Sequence, residues 1–63
     1  MINLTQNTPI RKLNSVKIGD EIIDDYYSSG KVVKIRKAVI NDLKEYLFQL
    51  DTNQTIYILT GSN

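Results

Sequence analysis

Sixty-three residues with eight Lys and Arg against seven Asp and Glu, and with neither Cys nor His, exclude a multidomain chain, a disulfide framework and a thiolate zinc site. A net charge of +1 lacks the basic excess of a domain built mainly to grip duplex phosphate, so any nucleic-acid role would rest on a local patch. Without histidine the commonest general base and metal ligand is missing, and a chain this short has no room for a deep pocket within one copy.

Residues 1–9 are polar, rich in Asn and Thr, and end in Pro9. They read as an extended amino-terminal arm leading into a single domain over 10–63. With no basic flank and no hydrophobic block, no signal peptide is expected and the cytoplasm is the default location. No apolar run approaches the ~20 residues of a membrane span. Ile10 to Leu13 suit a short strand or a turn. Leu13, Val16 and Ile18 then lead to Gly19-Asp20, where glycine allows a positive φ and the carboxylate bonds back to nearby backbone. A strand is expected over 21–27, bending or ending near Asp24 and Asp25. Ser28-Ser29-Gly30 reads as a turn.

Lys31 to Val39 is the most strand-like segment. Alternation puts Val33 and Ile35 inward on one face with Lys31 and Lys37, and puts Val32, Lys34, Arg36 and Ala38 on the other. Ile40-Asn41-Asp42 reads as a second turn. Over 45–51, Tyr46, Phe48 and Leu50 line one face of a strand. Asp51-Thr52-Asn53 is a third turn, Ile56 and Ile58 face inward on a last strand over 54–60, and Gly61-Ser62-Asn63 is a polar tail. A helix is the alternative for 41–50, because Val39, Leu43, Leu47 and Leu50 recur at helical spacing; the aromatic content after Glu45 favours a strand.

Four to five short antiparallel strands joined by tight turns make an all-β fold. A small SH3-like barrel is the economical closure, because it hides the sheet edges. Its expected core is Leu13, Val16, Ile18, Ile22, Val33, Ile35, Tyr46, Phe48, Leu50, Ile56 and Ile58.

Gly19-Asp20 and Gly30-Lys31-Val32 resemble the KOW and related SH3-like modules of ribosomal and transcription proteins. There a Gly-Asp pair precedes one strand, and a glycine followed by a small apolar residue begins the next. The longer glycine-rich linker of KOW is replaced here by Asp24-Asp25-Tyr26-Tyr27. The resemblance implies a nucleic-acid face of Lys31, Lys34, Arg36 and Lys37, with Tyr26 or Tyr27 stacking on a base. The plainer alternative is a solvated strand whose charges guard an edge. Gly19-Asp20, Gly30-Lys31-Val32-Val33 and Gln54-Thr55-Ile56-Tyr57 also resemble, more faintly, the type II dihydrofolate reductases, small SH3-like barrels that share one pore in a tetramer. Thr55 stands where that family has glutamine, and acidic Asp24 and Asp25 replace its lysine-bearing segment, so the groups that would meet an anionic cofactor are missing.

No catalytic residue, cofactor or metal is implied. Asp24 and Asp25 would diverge to opposite faces of a strand, and no nucleophile–base pair can be assembled without His or Cys. The expected function is that of a non-catalytic binding module, an accessory, adaptor or inhibitory factor that docks a protein or a second copy of itself. Tyr26 and Tyr27 are interface candidates because one of two neighbouring strand residues faces outward and aromatics anchor interfaces. Leu47, Tyr57 and Leu59 lie opposite the core-facing residues and would form an outward apolar patch if their strands are neighbours. A one-residue slip in register would instead turn that strand's set inward.

Overall fold

The structure, a computed structural model, describes residues 1–61. The chain forms β1 (Ile2–Asn3), α1 (Ile10–Ser15), β2 (Glu21–Ile23), β3 (Ser29–Ile40), β4 (Leu43–Leu50) and β5 (Thr55–Gly61). All five strands join one sheet in the order β1-β2-β3-β4-β5. From β2 to β5 the sheet is an antiparallel meander, and β1 adds in parallel, with Ile2 opposite Ile22. The fold is all-β, as expected, but the sheet is open and does not close into a barrel by strand pairing. Gly61 ends β5 rather than opening a tail; Ser62 and Asn63 lie outside the described residues.

The inner face is packed by Leu4, Leu13, Val16, Ile22, Val32, Tyr46, Phe48, Leu50, Ile56 and Ile58. The alternating residues of β4 and β5 therefore face inward as their pattern predicts. The segment 43–50 is strand, not helix.

Alternation fails in β3. Val32 pairs with Leu50 and Lys34 pairs with Gln49, so Val33 is an extra residue, a β-bulge. A bulge reverses which parity faces the core. Val32 thus enters the core at 1% exposure and Val33 stays 51% exposed, the opposite of strict alternation. Ile35, beyond the bulge, does turn inward and packs partly buried against the core. Ile18 is also outside the core, at 68% exposure. It sits in the turn closed by the Asp20 N–H on the Lys17 carbonyl (3.0 Å), where Gly19 takes φ 98°.

The amino-terminal residues contribute more than an arm. The Leu4 N–H donates to the Ile23 carbonyl at 2.8 Å, continuing the line of β1, and Leu4 is wholly buried. A turn over Thr5–Thr8 follows, in which the Thr5 N–H donates to Thr8 Oγ1 at 2.7 Å and buries Thr8. Ile10 to Leu13 are helical, neither strand nor turn. The Pro9 carbonyl accepts from the N–H groups of Lys12 and Leu13, and Leu13 alone is buried. A helix of six residues with Leu13 as its one buried side chain leaves no periodic signature.

The hairpin between β2 and β3 turns at Asp24–Ser28, ahead of the expected Ser28-Ser29-Gly30. Asp24 Oδ1 accepts from the N–H groups of Tyr26 and Ser28, both at 2.9 Å, which supports Tyr27 at φ 63°. Gly30 is instead within β3, where the loop after β4 lies on top of it. Lys31 N–H donates to Asp51 Oδ1 (3.0 Å), Asp51 N–H to the Lys31 carbonyl (2.9 Å), and Thr52 Oγ1 to the Ser29 carbonyl (2.7 Å).

A Cβ at position 30 would stand 2.8 Å from Asp51 Oδ1 and 3.0 Å from Thr52 Oγ1. Gly30→Ala is therefore expected to cost about 1–3 kcal/mol as an overpacking change. Asp51→Ala, which removes one acceptor, is expected to cost about 0.5–1.5 kcal/mol. Urea denaturation curves of the two variants check both values and their order.

Candidate interaction surface

The outer face of β3, β4 and β5 is assembled row by row from the register. Ile40, Leu43 and Gly61 form one row; Ala38, Glu45 and Leu59 the next; then Arg36, Leu47 and Tyr57; then Lys34, Gln49 and Thr55. The first three rows are mainly apolar and the last is polar. Leu47, Tyr57 and Leu59, singled out by alternation, are thus brought together on the outward side, with Leu47 directly opposite Tyr57. Tyr57, Leu59, Leu43 and Ile40 are exposed and Leu47 is half-buried. Ile40 and Leu43 were hidden in the sequence by their place beside a turn. The loop between β3 and β4 consists only of Asn41 and Asp42, with Asn41 at φ 54° in the position where such hairpins need a positive φ. Both strands therefore run on to Ile40 and Leu43.

One polar pair lies within this patch. The Tyr57 hydroxyl donates to Glu45 Oε2 at 2.6 Å. The hydrogen bond to the Glu45 carboxylate raises the Tyr57 pKa above the ordinary 10.0, with partial desolvation and the carboxylate charge adding to it.

Tyr26 and Tyr27 are 84% and 82% exposed. Neither packs into the core, because the strand that would have split them ends at Ile23 and both lie in the turn. Tyr26 forms the rim of an open groove of about 350 Å³ between the amino-terminal segment and β5, together with Gln6, Asp24, Asp25, Thr55 and Tyr57. Tyr27 does not line it. Asp24 and Asp25 lie in the same turn, where Asp24 serves as a backbone cap.

Across this groove the Gln6 side chain reaches the edge of β5. Its Nε2 donates to the Tyr57 carbonyl at 3.0 Å, and its Oε1 accepts from the Leu59 N–H at 3.2 Å.

The four basic residues that the KOW resemblance gathers into one face are divided, and alternation places Lys37, but not Lys31, on its observed side. The bulge places Lys31 on the outer side with Lys34 and Arg36, and Glu21 stands opposite Lys31 on β2. Lys37 is on the inner side, with Nζ 5.9 Å from the centre of the Tyr46 ring, within cation–π range. Among the described residues no helix is long and apolar enough to cross a membrane, and no three His, Cys, Asp or Glu are grouped to hold a metal ion.

No family model, curated protein or solved structure matches the chain. The likeness to KOW modules rests on local features. Gly19 and Asp20 bracket Val32 by main-chain bonds of 2.8 and 2.9 Å just before β2, and Gly30 is near the start of β3.

Glu45→Gln is expected to lower the Tyr57 titration midpoint back toward 10.0, since it removes the charge and weakens the acceptor. Ring chemical shifts of Tyr57 followed through alkaline pH in both proteins check this; an unchanged midpoint means that Glu45 does not set it.

Proposed function

We propose that the protein is a non-catalytic binding module that docks a protein partner through the outer face of β3, β4 and β5. The observation that carries this reading is the register that gathers Ile40, Leu43, Leu47, Tyr57 and Leu59 on the solvent side of one sheet. A contiguous exposed apolar patch on a small domain marks an interaction site, and a tyrosine near its middle is a typical anchor. The Tyr57–Glu45 bond gives the tyrosine hydroxyl an acceptor within the patch, so covering the ring leaves its O–H paired. The inner face is filled by the core, so the outside is what remains for recognition. An SH3-like architecture is part of the proposal. Gln6 spans the gap between the amino-terminal segment and β5, where closure of such a barrel would lie.

A second reading is favoured by the bulge at Val33, which sets Lys31, Lys34 and Arg36 on one side. That cluster suits the phosphates of a nucleic acid. If it binds one, affinity falls steeply with salt, and Lys34→Glu with Arg36→Glu abolishes it in fluorescence anisotropy with labelled RNA and DNA. Unchanged binding in the double variant removes this reading.

For the protein-partner reading, the decisive variants are Ile40→Lys and Leu43→Lys, combined, because both side chains are exposed and away from the core. Immobilised wild-type protein is expected to retain a partner from extracts of the native host. The double variant is expected to lose roughly tenfold or more in affinity for that purified partner, with its thermal midpoint nearly unchanged. Equal affinity in the two proteins contradicts the proposed face.

A further inference from the structure

The edge of β5 accepts the polar groups of a strand that is not there. Among the described residues β5 pairs with β4 alone. The Tyr57 carbonyl and the Leu59 N–H point away from β4, since both are met by Gln6. By the alternation of an antiparallel ladder, the Tyr57 N–H and the Leu59 carbonyl point the same way. With one of its two N–H groups and its oxygen, the Gln6 amide presents the same donor–acceptor pair that a residue of an added strand presents. Gln6 therefore holds the place of a single residue of a neighbouring strand.

We propose that the occupant is a second copy of this chain, its β5 pairing antiparallel with β5 about a two-fold axis at Ile58. Two features of the strand favour a copy over a foreign peptide. First, Thr55 to Gly61 contain no charged residue and no proline. The edge thus lacks the charges that prevent like strands from pairing, and lacks the charges that would select an unlike one. Secondly, the register is self-complementary. An axis at Ile58 sets Tyr57 opposite the second copy's Leu59, and the reverse. This forms four main-chain hydrogen bonds between these residues, in place of the two that Gln6 makes in each copy. On the outer face each tyrosine ring then lies against a leucine across the junction, and the two apolar patches become one continuous surface. The groove beside Thr55–Ile58 leaves room for the second copy's Leu59 to Gly61. The second copy's Thr55 to Tyr57 would lie by symmetry in the open space lined by residues 6–10, Thr60 and Gly61, so pairing requires the Gln6 side chain to swing aside and the amino-terminal segment to give way.

This inference concerns the edge and stands apart from the hetero-partner reading of the outer face. The test is sedimentation equilibrium of the full chain over a wide concentration range, from the 7.2 kDa monomer upward. Wild type is expected to approach twice the monomer mass. Gln6→Ala, which removes the competing amide, is expected to tighten the dimer roughly tenfold. Leu59→Lys is expected to weaken it at least about tenfold while keeping the same circular dichroism spectrum. Ile40→Lys with Leu43→Lys is expected to leave the dimer intact, which separates the failure of this inference from that of the outer-face reading. A monomer mass in both wild type and Gln6→Ala up to about 1 mM overturns the proposal, as does a dimer equally tight in Leu59→Lys. Should Gln6→Ala not fold, wild type against Leu59→Lys decides alone.

Discussion

The loop Asp51-Thr52-Asn53 rests on the backbone of β3 at Gly30, and that contact sets the geometry of the sheet around it. The carboxylate of Asp51 and the hydroxyl of Thr52 act as a short third partner for Ser29 and Lys31, and Gln54 adds its Oε1 as acceptor for the Ser29 N–H at 3.0 Å. Only a residue without a Cβ lets the loop come so close. Leu50, which leads straight into the loop, is held opposite Val32, while the long hairpin beyond is held by Lys34 opposite Gln49. The two pairings differ by one residue, and Val33 absorbs the difference as a bulge. From that single adjustment follow the burial of Val32, the exposure of Val33 and the outward direction of Lys31, Lys34 and Arg36.

The result is a division of the sheet into two unlike sides. Inside, a small core is completed by residues far apart in the chain, with Leu4 and Leu13 from the amino-terminal segment packing with Phe48, Ile56 and Ile58. Outside, apolar residues collect toward the hairpin of β3 and β4, and polar ones toward Gln49 and Thr55. A domain of this size commits its interior to stability, which leaves the outer face and the edge of β5 as the surfaces the proposals rest on. Gln6 joins these two features, since it caps the edge through Tyr57, the residue whose ring lies on the outer face.

How much of this was legible in the sequence depended on how local the cause was. In β4 and β5 the alternation of Tyr46, Phe48, Leu50, Ile56 and Ile58 is carried by adjacent residues, so the faces and the Leu47–Tyr57–Leu59 patch could be read. The turn at Gly19-Asp20 was equally local. The bulge at Val33 was not, because it arises from a loop 20 residues further along the chain that bonds Lys31 through Asp51. Leu4 was masked by polar neighbours, and its burial depends on a parallel pairing with β2 that no nearby residue announces. The end of β2 near Asp24 and Asp25 is marked by the two aspartates, but the turn reads as Ser28-Ser29-Gly30 because Tyr27, rather than a glycine, takes the positive φ. Lys37 lies over Tyr46 on the inner side with Ile35, as alternation places it, whereas Lys31, which alternation puts on that same face, is turned outward by the bulge.

Residue-resolved amide hydrogen exchange in dilute protein tests the central claim most directly: that the sheet is open, with β5 paired on one side only. Ile56, Ile58 and Thr60, whose N–H groups face β4, should exchange slowly, and Tyr57 should exchange fast. The Leu59 N–H should be intermediate, held only by the Gln6 side chain. Uniformly slow exchange along β5 in the monomer, with Tyr57 as protected as Ile58, would mean that both edges are paired and would contradict the account.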